Sequence, residues 1–152
     1  MQDMIIISCI FGTQFKHVHP SPNQEISFFF TNNPDLQTEI IKKGWHYVYV
    51  NKPLSNNVMI SSLQSKYIKF LMFLEDYEEF RNKKNIIYFD HKENVSPITL
   101  NEINSLIKNN LNKSLIIRQT PTIKNNIDDE VKVAMGQQRY VVNMDKTRKF
   151  NG

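Results

Sequence analysis

The sequence predicts an α/β fold in which a mainly parallel β-sheet is flanked by helices. Two observations indicate this class. Short apolar runs rich in Ile, Phe, Tyr and Val are typical of strands covered on both faces, and they alternate with segments whose apolar residues recur at helical spacing. Strands that alternate with helices are joined by right-handed crossovers and therefore pair in parallel. The chain has 152 residues, 40% of them hydrophobic, which suits a single domain over residues 1–152 with its own core.

Five apolar runs predict the strands. The first run contains four isoleucines and stops at Gly12, and the fourth run ends at Asp90. The first run is too short to span a membrane, and it lacks both the basic leader and the cleavage pattern of a signal peptide. We therefore expect no membrane span. The predicted strands are residues 4–11, 26–31, 45–50, 85–90 and 114–118.

Four segments predict helices. Asn33 and Pro34 are the residue types of a helix cap and of a first helical position. Thr99 and Glu102 have the spacing of a capping box, and the acidic residues 128–130 suit the first turn of a last helix. Between these segments, one apolar stripe with spacings of four and three predicts a longer helix. Its residues are Met59, Leu63, Tyr67, Phe70 and Leu74.

The charge pattern does not favour a nucleic-acid partner. The formal net charge is only +4. The acidic run 75–79 lies beside the basic run 81–84, so the basic side chains are not gathered on one face. We expect no specific nucleic-acid binding. RNA binding by a basic α/β domain is the alternative, and it predicts an affinity that falls steeply with salt.

The single cysteine bears on the cellular compartment of the protein rather than on a functional site. Cys9 cannot form an internal disulfide, and it lies within an apolar run. It is compatible with a reducing compartment. We therefore expect a cytoplasmic protein with Cys9 in its core.

Polar residues follow several of the predicted strands. In open parallel sheets, ligands bind outside the carboxyl ends of the strands, near the point where the strand order reverses. We therefore expect these polar residues to meet at one crevice. They are Gly12, Thr13, Thr31, Asn32, Asn51, Asp90 and His91.

Asp90 is the candidate metal ligand of this crevice. An exposed acid at a strand end can hold Mn²⁺ or Mg²⁺, with phosphate oxygens and water as the other ligands. His91 would add a nitrogen ligand that suits manganese, and Lys92 would balance phosphate charge. The alternative role for Asp90 is a helix or turn cap.

Three other sets of residues carry weaker signals. Lys66 and Lys69 would receive a diphosphate, or they form a solvated helix face. Gly12 allows a ligand to approach the backbone, or it is a plain turn, because neither a dinucleotide fingerprint nor a phosphate-loop motif surrounds it. His17 and His19 alternate along an extended segment without a Cys or a third His nearby. We interpret them as surface loop histidines.

Five short motifs follow one another along the chain. They are Cys-Ile-Phe-Gly-Thr (9–13), Phe-Phe-Thr-Asn (29–32), Ser-Lys-Tyr-Ile-Lys-Phe (65–70), Ile-Tyr-Phe-Asp-His-Lys (87–92) and Gln-Arg-Tyr (138–140) with the preceding Glu130. In this order they resemble a family of glycosyltransferase-like domains from plants and large DNA viruses, including chloroviruses. That family uses the GT-A scaffold, which binds nucleotide sugars. The resemblance extends over most of the chain.

The resemblance implies a transferase that moves a sugar from a UDP-sugar donor to a glycan or protein-linked acceptor, with a divalent metal as cofactor. It also implies the contacts to the donor. Phe11, Gly12 and Thr13 would meet the nucleoside, Thr31 and Asn32 would read the uracil edge, and Lys66 and Lys69 would contact the diphosphate.

The remaining roles implied by the resemblance concern metal and catalysis. Asp90 stands where the family has its metal-binding acid, but the usual Asp-x-Asp is Asp90-His91-Lys92 here, so Lys92 would supply part of the cation's charge. Glu130 would lie near the sugar, and Arg139 would pair with Glu130 or with phosphate. The family pattern continues beyond the Arg-Tyr segment into acceptor contacts. The alternative function is therefore a noncatalytic nucleotide- or glycan-binding module that lacks the acceptor half.

Overall fold

The computed structural model describes residues 3–14, 17–92 and 94–112. Contacts divide the chain into two compact units, Met1–Asn109 and Asn110–Gly152, and the sheet described below belongs to the first unit. The predicted strand 114–118 and the helix predicted to open at residues 128–130 lie outside the described residues. A single domain over residues 1–152 stays a prediction.

The core of the first unit is a sheet of four parallel strands. All three strand pairings are parallel, and the order across the sheet is β3-β2-β1-β4. The strands are β1 (Met4–Ile10), β2 (Ser27–Thr31), β3 (His46–Tyr49) and β4 (Asn85–Tyr88). The prediction of an α/β fold with a parallel sheet is confirmed, and four of the predicted strands differ from the observed ones by only one or two residues at their ends.

The helices begin where their capping residues predict. The carbonyl oxygen of the Asn33 side chain accepts the backbone N–H of Asp35 (3.1 Å) at the first helical turn. Thr99 and Glu102 form the predicted capping box. None of the helices among the described residues is long and apolar enough to cross a membrane. The α-helices are α1 (Gln37–Lys42), α2 (Val58–Lys69), α3 (Glu78–Arg81) and α4 (Leu100–Lys108), and 3-10 turns cover Pro34–Leu36 and Met72–Glu75.

Alternation along β1 divides the core into two layers. Side chains of one parity face α2 and α3, and those of the other parity face α1 and α4. On the α2 side, the ring of Phe30 packs against Phe73 and Phe80, with ring centroids 4.8 and 5.6 Å away. The buried apolar β1 residues are Ile5, Ile7 and Cys9 on the α2 side and Ile6 and Ile10 on the α1 side.

The strand order reverses between β1 and β4. The chain moves from β1 to β2 to β3 in one direction, with α1 on one face, and then returns to the far side of β1 through α2 and α3 on the other face. Right-handed crossovers that run in opposite directions across a sheet must lie on opposite faces of it. The carboxyl ends of β1 and β4 therefore flank the point where ligands bind in such sheets.

The apolar stripe of α2 points outward to a large extent. The helix itself is confirmed, but Leu63 and Phe70 are 67% and 64% exposed. The inward face carries Ile68, which is fully buried, and the small residues Ser61 and Ser65, whose atoms contact the β1 segment. Small side chains let α2 lie close to the sheet, so packing distance rather than apolar content selects the buried face.

Two glycines with a left-handed backbone provide a matched stability test. Gly12 has φ +89° and Gly44 has φ +81°, and an alanine would be strained by about 1–2 kcal/mol at either position. A Cβ at Gly12 would also lie 2.6 Å from the backbone oxygen of Ser55, whereas at Gly44 it would meet the flexible side chain of Gln24. We expect Gly12→Ala to lower the free energy of unfolding by about 3 kcal/mol or more, and Gly44→Ala by about 1–2 kcal/mol. Urea denaturation measures both, and equal losses would contradict the close approach at Gly12.

Candidate functional site

A buried amide joins the strand ends at the candidate site. Asn32 follows β2 and is 1% exposed. Its side-chain oxygen accepts the backbone N–H of Gly12 (2.9 Å), directly beyond β1. Its side-chain nitrogen donates to the carbonyl of Pro53 (2.9 Å) and, at 3.3 Å each, to the carbonyl of Lys52 and the side chain of Gln64. One carboxamide thus connects the segments after β1, β2 and β3 with helix α2.

The polar side chains on either side of Asn32 also form hydrogen bonds within the protein. Asn33 donates from its side chain to the carbonyl of Gly12 (3.2 Å), and the hydroxyl of the fully buried Thr31 accepts the backbone N–H of Asn33 (3.0 Å). Phe11 is buried in the α2-side core. Four of the predicted nucleoside contacts, Phe11, Gly12, Thr31 and Asn32, are therefore buried, and the polar groups of Gly12, Thr31 and Asn32 bond within the protein.

Thr13 is the exposed member of the predicted nucleoside set. Its backbone N–H donates to the carbonyl of Ser55 (2.9 Å), which fixes its position beside the start of α2. Its side chain faces solvent. Of the five predicted nucleoside contacts, Thr13 has the side chain that a ligand can reach.

Asp90 lies just beyond the carboxyl end of β4. Its side chain is 47% exposed. One carboxylate oxygen accepts the backbone N–H of Lys92 (3.1 Å) and lies 3.4 Å from Nδ1 of His91. Asp90 thus caps the turn that follows the strand while its carboxylate stays accessible to a cation.

The two predicted phosphate-binding lysines lie on α2 above aromatic rings. The Nζ of Lys66 is 5.6 Å from the ring centre of Phe70, and the Nζ of Lys69 is 5.9 Å from that of Tyr88. Tyr88 is the last residue of β4. Lys69 therefore extends from α2 to the same strand end that carries Asp90.

The Cys9 thiol lies in a buried position that perturbs its ionisation. Burial raises the pKa of the Cys9 thiol to about 12, the hydrogen-bond contact with Tyr88 and the charge of Lys69 oppose that rise, and the charge of Asp90 adds to it. Burial also raises the pKa of the Tyr88 hydroxyl, which lies 4.0 Å from the Cys9 sulfur. Lys69 lies near the ring of Tyr88, the last residue of β4, and Asp90 follows two residues later, so both charges lie near the carboxyl end of that strand.

The described residues hold no preformed metal cluster. Within residues 3–14, 17–92 and 94–112, no group of three or more His, Cys, Asp or Glu side chains could hold a metal ion. A cation at Asp90 would take most of its ligands from phosphate oxygens and water. The predicted catalytic residues Glu130 and Arg139 lie outside the described residues, and their roles stay predictions.

A cleft on the α1 side of the sheet was not predicted from the sequence. Trp45 donates from its indole nitrogen to the carbonyl of His19 (2.8 Å), which holds the loop before β2 against the start of β3. The backbone N–H of Ile98 donates to the carbonyl of Pro22 (2.8 Å), which joins the same loop to the residues after β4. Ser8, His19 and Trp45 line this cleft together with Asp90 and His91. The one available signal was Ser8, a polar residue within an otherwise apolar strand.

The geometry defines an α/β domain with a candidate ligand site at the carboxyl ends of parallel strands. Comparison of the chain with protein-family models, with curated proteins and with solved structures gives no match.

Replacing the amide of Asn32 tests whether its hydrogen bonds stabilise the fold. In Asn32→Asp, the carboxylate loses both N–H donors and faces the acceptor oxygens of Pro53, Lys52 and Gln64. We expect a loss of about 2–4 kcal/mol in the free energy of unfolding, since each buried group left without a partner costs about 1–3 kcal/mol. Asn51→Asp, an exposed position in the same connection, is the control and should change stability by less than about 0.5 kcal/mol. Equal effects of the two changes in urea denaturation would show that the Asn32 contacts do not stabilise the fold.

The raised pKa of Cys9 predicts a loss of stability in alkaline solution. The folded thiol keeps its proton up to a pKa of about 12, whereas the unfolded thiol ionises near pH 8.5. The contribution of Cys9 to stability is therefore complete below about pH 8.5 and falls as pH rises towards 12. Between pH 8 and pH 11, the stability difference between wild type and Cys9→Ala should shrink by roughly 1–3 kcal/mol. Parallel stability curves for the two proteins would refute this.

Proposed function

We propose that the protein is a glycosyltransferase-type domain on a GT-A-like scaffold that binds a UDP-sugar together with a divalent cation. The observation that carries the proposal is that an accessible carboxylate, Asp90, follows β4 beside the strand-order reversal, while Lys69 reaches the ring of Tyr88 at the end of the same strand. A diphosphate bridged by a cation needs charges of both signs side by side. Support at the level of sequence comes from the order of the five motifs.

In this proposal the cation and the lysines divide the charge of the diphosphate. Asp90 holds Mn²⁺ or Mg²⁺, whose remaining ligands are phosphate oxygens and water. Lys69 and Lys66 lie on the α2 side, and Lys92 follows Asp90 directly. Positive charge at this position stabilises the diphosphate as it leaves the sugar. Since a single carboxylate binds a cation weakly, we expect metal and nucleotide to bind together.

The competing assignment is a noncatalytic module that binds the nucleotide without transferring the sugar. Among the described residues that line the cleft beside β4, Asp90 is the only carboxylate. This observation favours the binding module. A transferase that works by inversion also needs a base for the acceptor hydroxyl. Release or transfer of the sugar from UDP-sugars by the purified chain separates the two assignments, because the binding module would leave the donor intact.

Calorimetric titration with UDP, with and without Mn²⁺, tests the nucleotide site. We expect UDP to bind more tightly with Mn²⁺, and we expect Asp90→Asn to remove the metal dependence. Lys69→Met should weaken binding by about tenfold in either condition, since a charge-assisted contact contributes about 1.5–3 kcal/mol.

The matched controls are Glu79→Gln and Lys42→Met. Both residues are exposed, on α3 and α1, which lead into the amino ends of β4 and β3. They should leave UDP binding unchanged. If wild type does not bind UDP, or if Asp90→Asn retains full metal dependence, the proposal is wrong.

A further inference from the structure

The outward side of α2 carries an exposed apolar surface. Leu63 and Phe70 are two helical turns apart, so they lie on one line along the helix, and most of each side chain is exposed. Leu71 and Met72 follow Phe70 directly and are exposed as well. We call these four residues the outer patch. Exposed apolar surface of this kind marks sites where proteins bind other proteins or membranes.

The outer patch continues past the end of α2 through a strained turn. Leu71 has φ +61°, in the left-handed region, and among the described residues it is the one residue other than glycine with a positive φ. Glycine is usual at this position after a helix, and a leucine there costs about 1–2 kcal/mol. The turn thus presents an exposed leucine where a glycine would be free of strain.

The flank of the outer patch towards β4 is basic. Lys66 lies beside Phe70, with its Nζ 5.6 Å from the ring centre. Lys69 is almost one turn further along α2 and reaches the ring of Tyr88 in β4. Both lysines therefore lie on the same side of the line from Leu63 to Phe70.

The opposite flank, towards β3, is acidic. Tyr67 donates from its hydroxyl to the carboxylate of Asp76, and the hydroxyl of Tyr77 donates to the carbonyl of Tyr49 in β3 (2.9 Å). The Nζ of Lys52 also lies 4.1 Å from the ring centre of Tyr67, but an exposed acidic run outweighs this single charge. The run consists of Glu75, Asp76, Glu78 and Glu79.

This charge pattern selects both the partner and its direction. If two copies pack through the outer patch about a two-fold axis parallel to α2, the basic flank of each copy faces the acidic flank of the other. In an antiparallel pair like flanks meet, so Lys66 would face Lys66. A membrane with anionic lipids would attract the lysines but repel the acidic run. A second copy of the chain is therefore the partner that fits both flanks.

We propose that two copies of this chain associate through the outer patch, with their α2 helices side by side and parallel. Leu63 and Phe70 form the apolar centre of the interface, and Lys66 of each copy lies against Asp76 of the other at the rim. The inference goes beyond the proposed function and does not depend on it, because no residue of the outer patch is assigned to the nucleotide site. Since the patch is small, we expect a weak dimer, with a Kd on the order of 10 μM.

Sedimentation velocity without UDP, over a series from about 1 to about 500 μM protein, measures the association. We expect the sedimentation coefficient of the wild type to rise from that of a monomer to that of a dimer. Leu63→Glu should weaken association by at least about tenfold, because it places a charge at the apolar centre.

The matched control is Ile41→Glu. Ile41 is an exposed apolar residue of α1, on the other face of the sheet. This variant should associate like wild type. Circular dichroism of both variants checks that they are folded, as their exposure predicts.

Charge reversal tests the parallel direction. Lys66→Glu and Asp76→Lys should each weaken association by about fivefold at low salt, since each places like charges across the interface. The double variant K66E/D76K should recover most of the loss, because opposite charges then meet again. In an antiparallel pair each residue faces its own copy, so neither single variant would weaken association.

Four results would overturn the inference. They are a monomer at every concentration, equal association of Leu63→Glu and wild type, equal loss in Leu63→Glu and Ile41→Glu, and no loss in either single charge variant. Flotation with vesicles of phosphatidylcholine and phosphatidylserine completes the test. If the protein stays monomeric but binds vesicles, and Leu63→Glu does not, the outer patch is a membrane site instead.

Discussion

The buried carboxamide of Asn32 is the contact on which the candidate site depends. It accepts from Gly12 after β1 and donates to Pro53 after β3 and to Gln64 on α2. Water is excluded from this position, so each bond is stronger than at the surface and each lost partner is costly. The amide therefore joins three strand ends to α2, the helix that carries Lys69.

Much of the fold could be predicted because its signals are local. The isoleucine run of β1 and the capping box of α4 depend on neighbouring residues alone, and both were predicted at nearly the observed positions. The buried face of α2 was not predictable in this way. Its outward stripe is more apolar than its inward face, and the inward face is selected by the close approach of Ser61 to Gly12, a contact between distant parts of the chain.

The location of the candidate site residues at strand ends could be predicted from the sequence, but the hydrogen-bond partners of their side chains could not. Asp90 lies beyond β4, as its place at the end of an apolar run indicated. Thr31 and Asn32 also lie at a strand end, but a polar side chain there can bond to a ligand or to the next loop, and theirs bond to loops. The cleft is lined by Trp45 and His19, which are joined by a hydrogen bond between residues 26 positions apart, and such a contact leaves no local pattern.

The connections around the sheet explain why side chains, rather than a glycine-rich turn, must hold any phosphate here. In the dinucleotide-binding order 3-2-1-4-5-6, the crossover from strand 4 to strand 5 runs in the same direction as the crossover from strand 3 to strand 4. Both crossovers therefore lie on the same face of the sheet. Here α4 packs on the opposite face, with α1. The described residues between β1 and β2 also form no helix, and the N–H of Gly12 is already bonded to Asn32. A helix terminus that could bind phosphate after β1 is therefore absent from the described part of this connection. A phosphate at the strand-order reversal would depend on Lys69 and on a cation at Asp90.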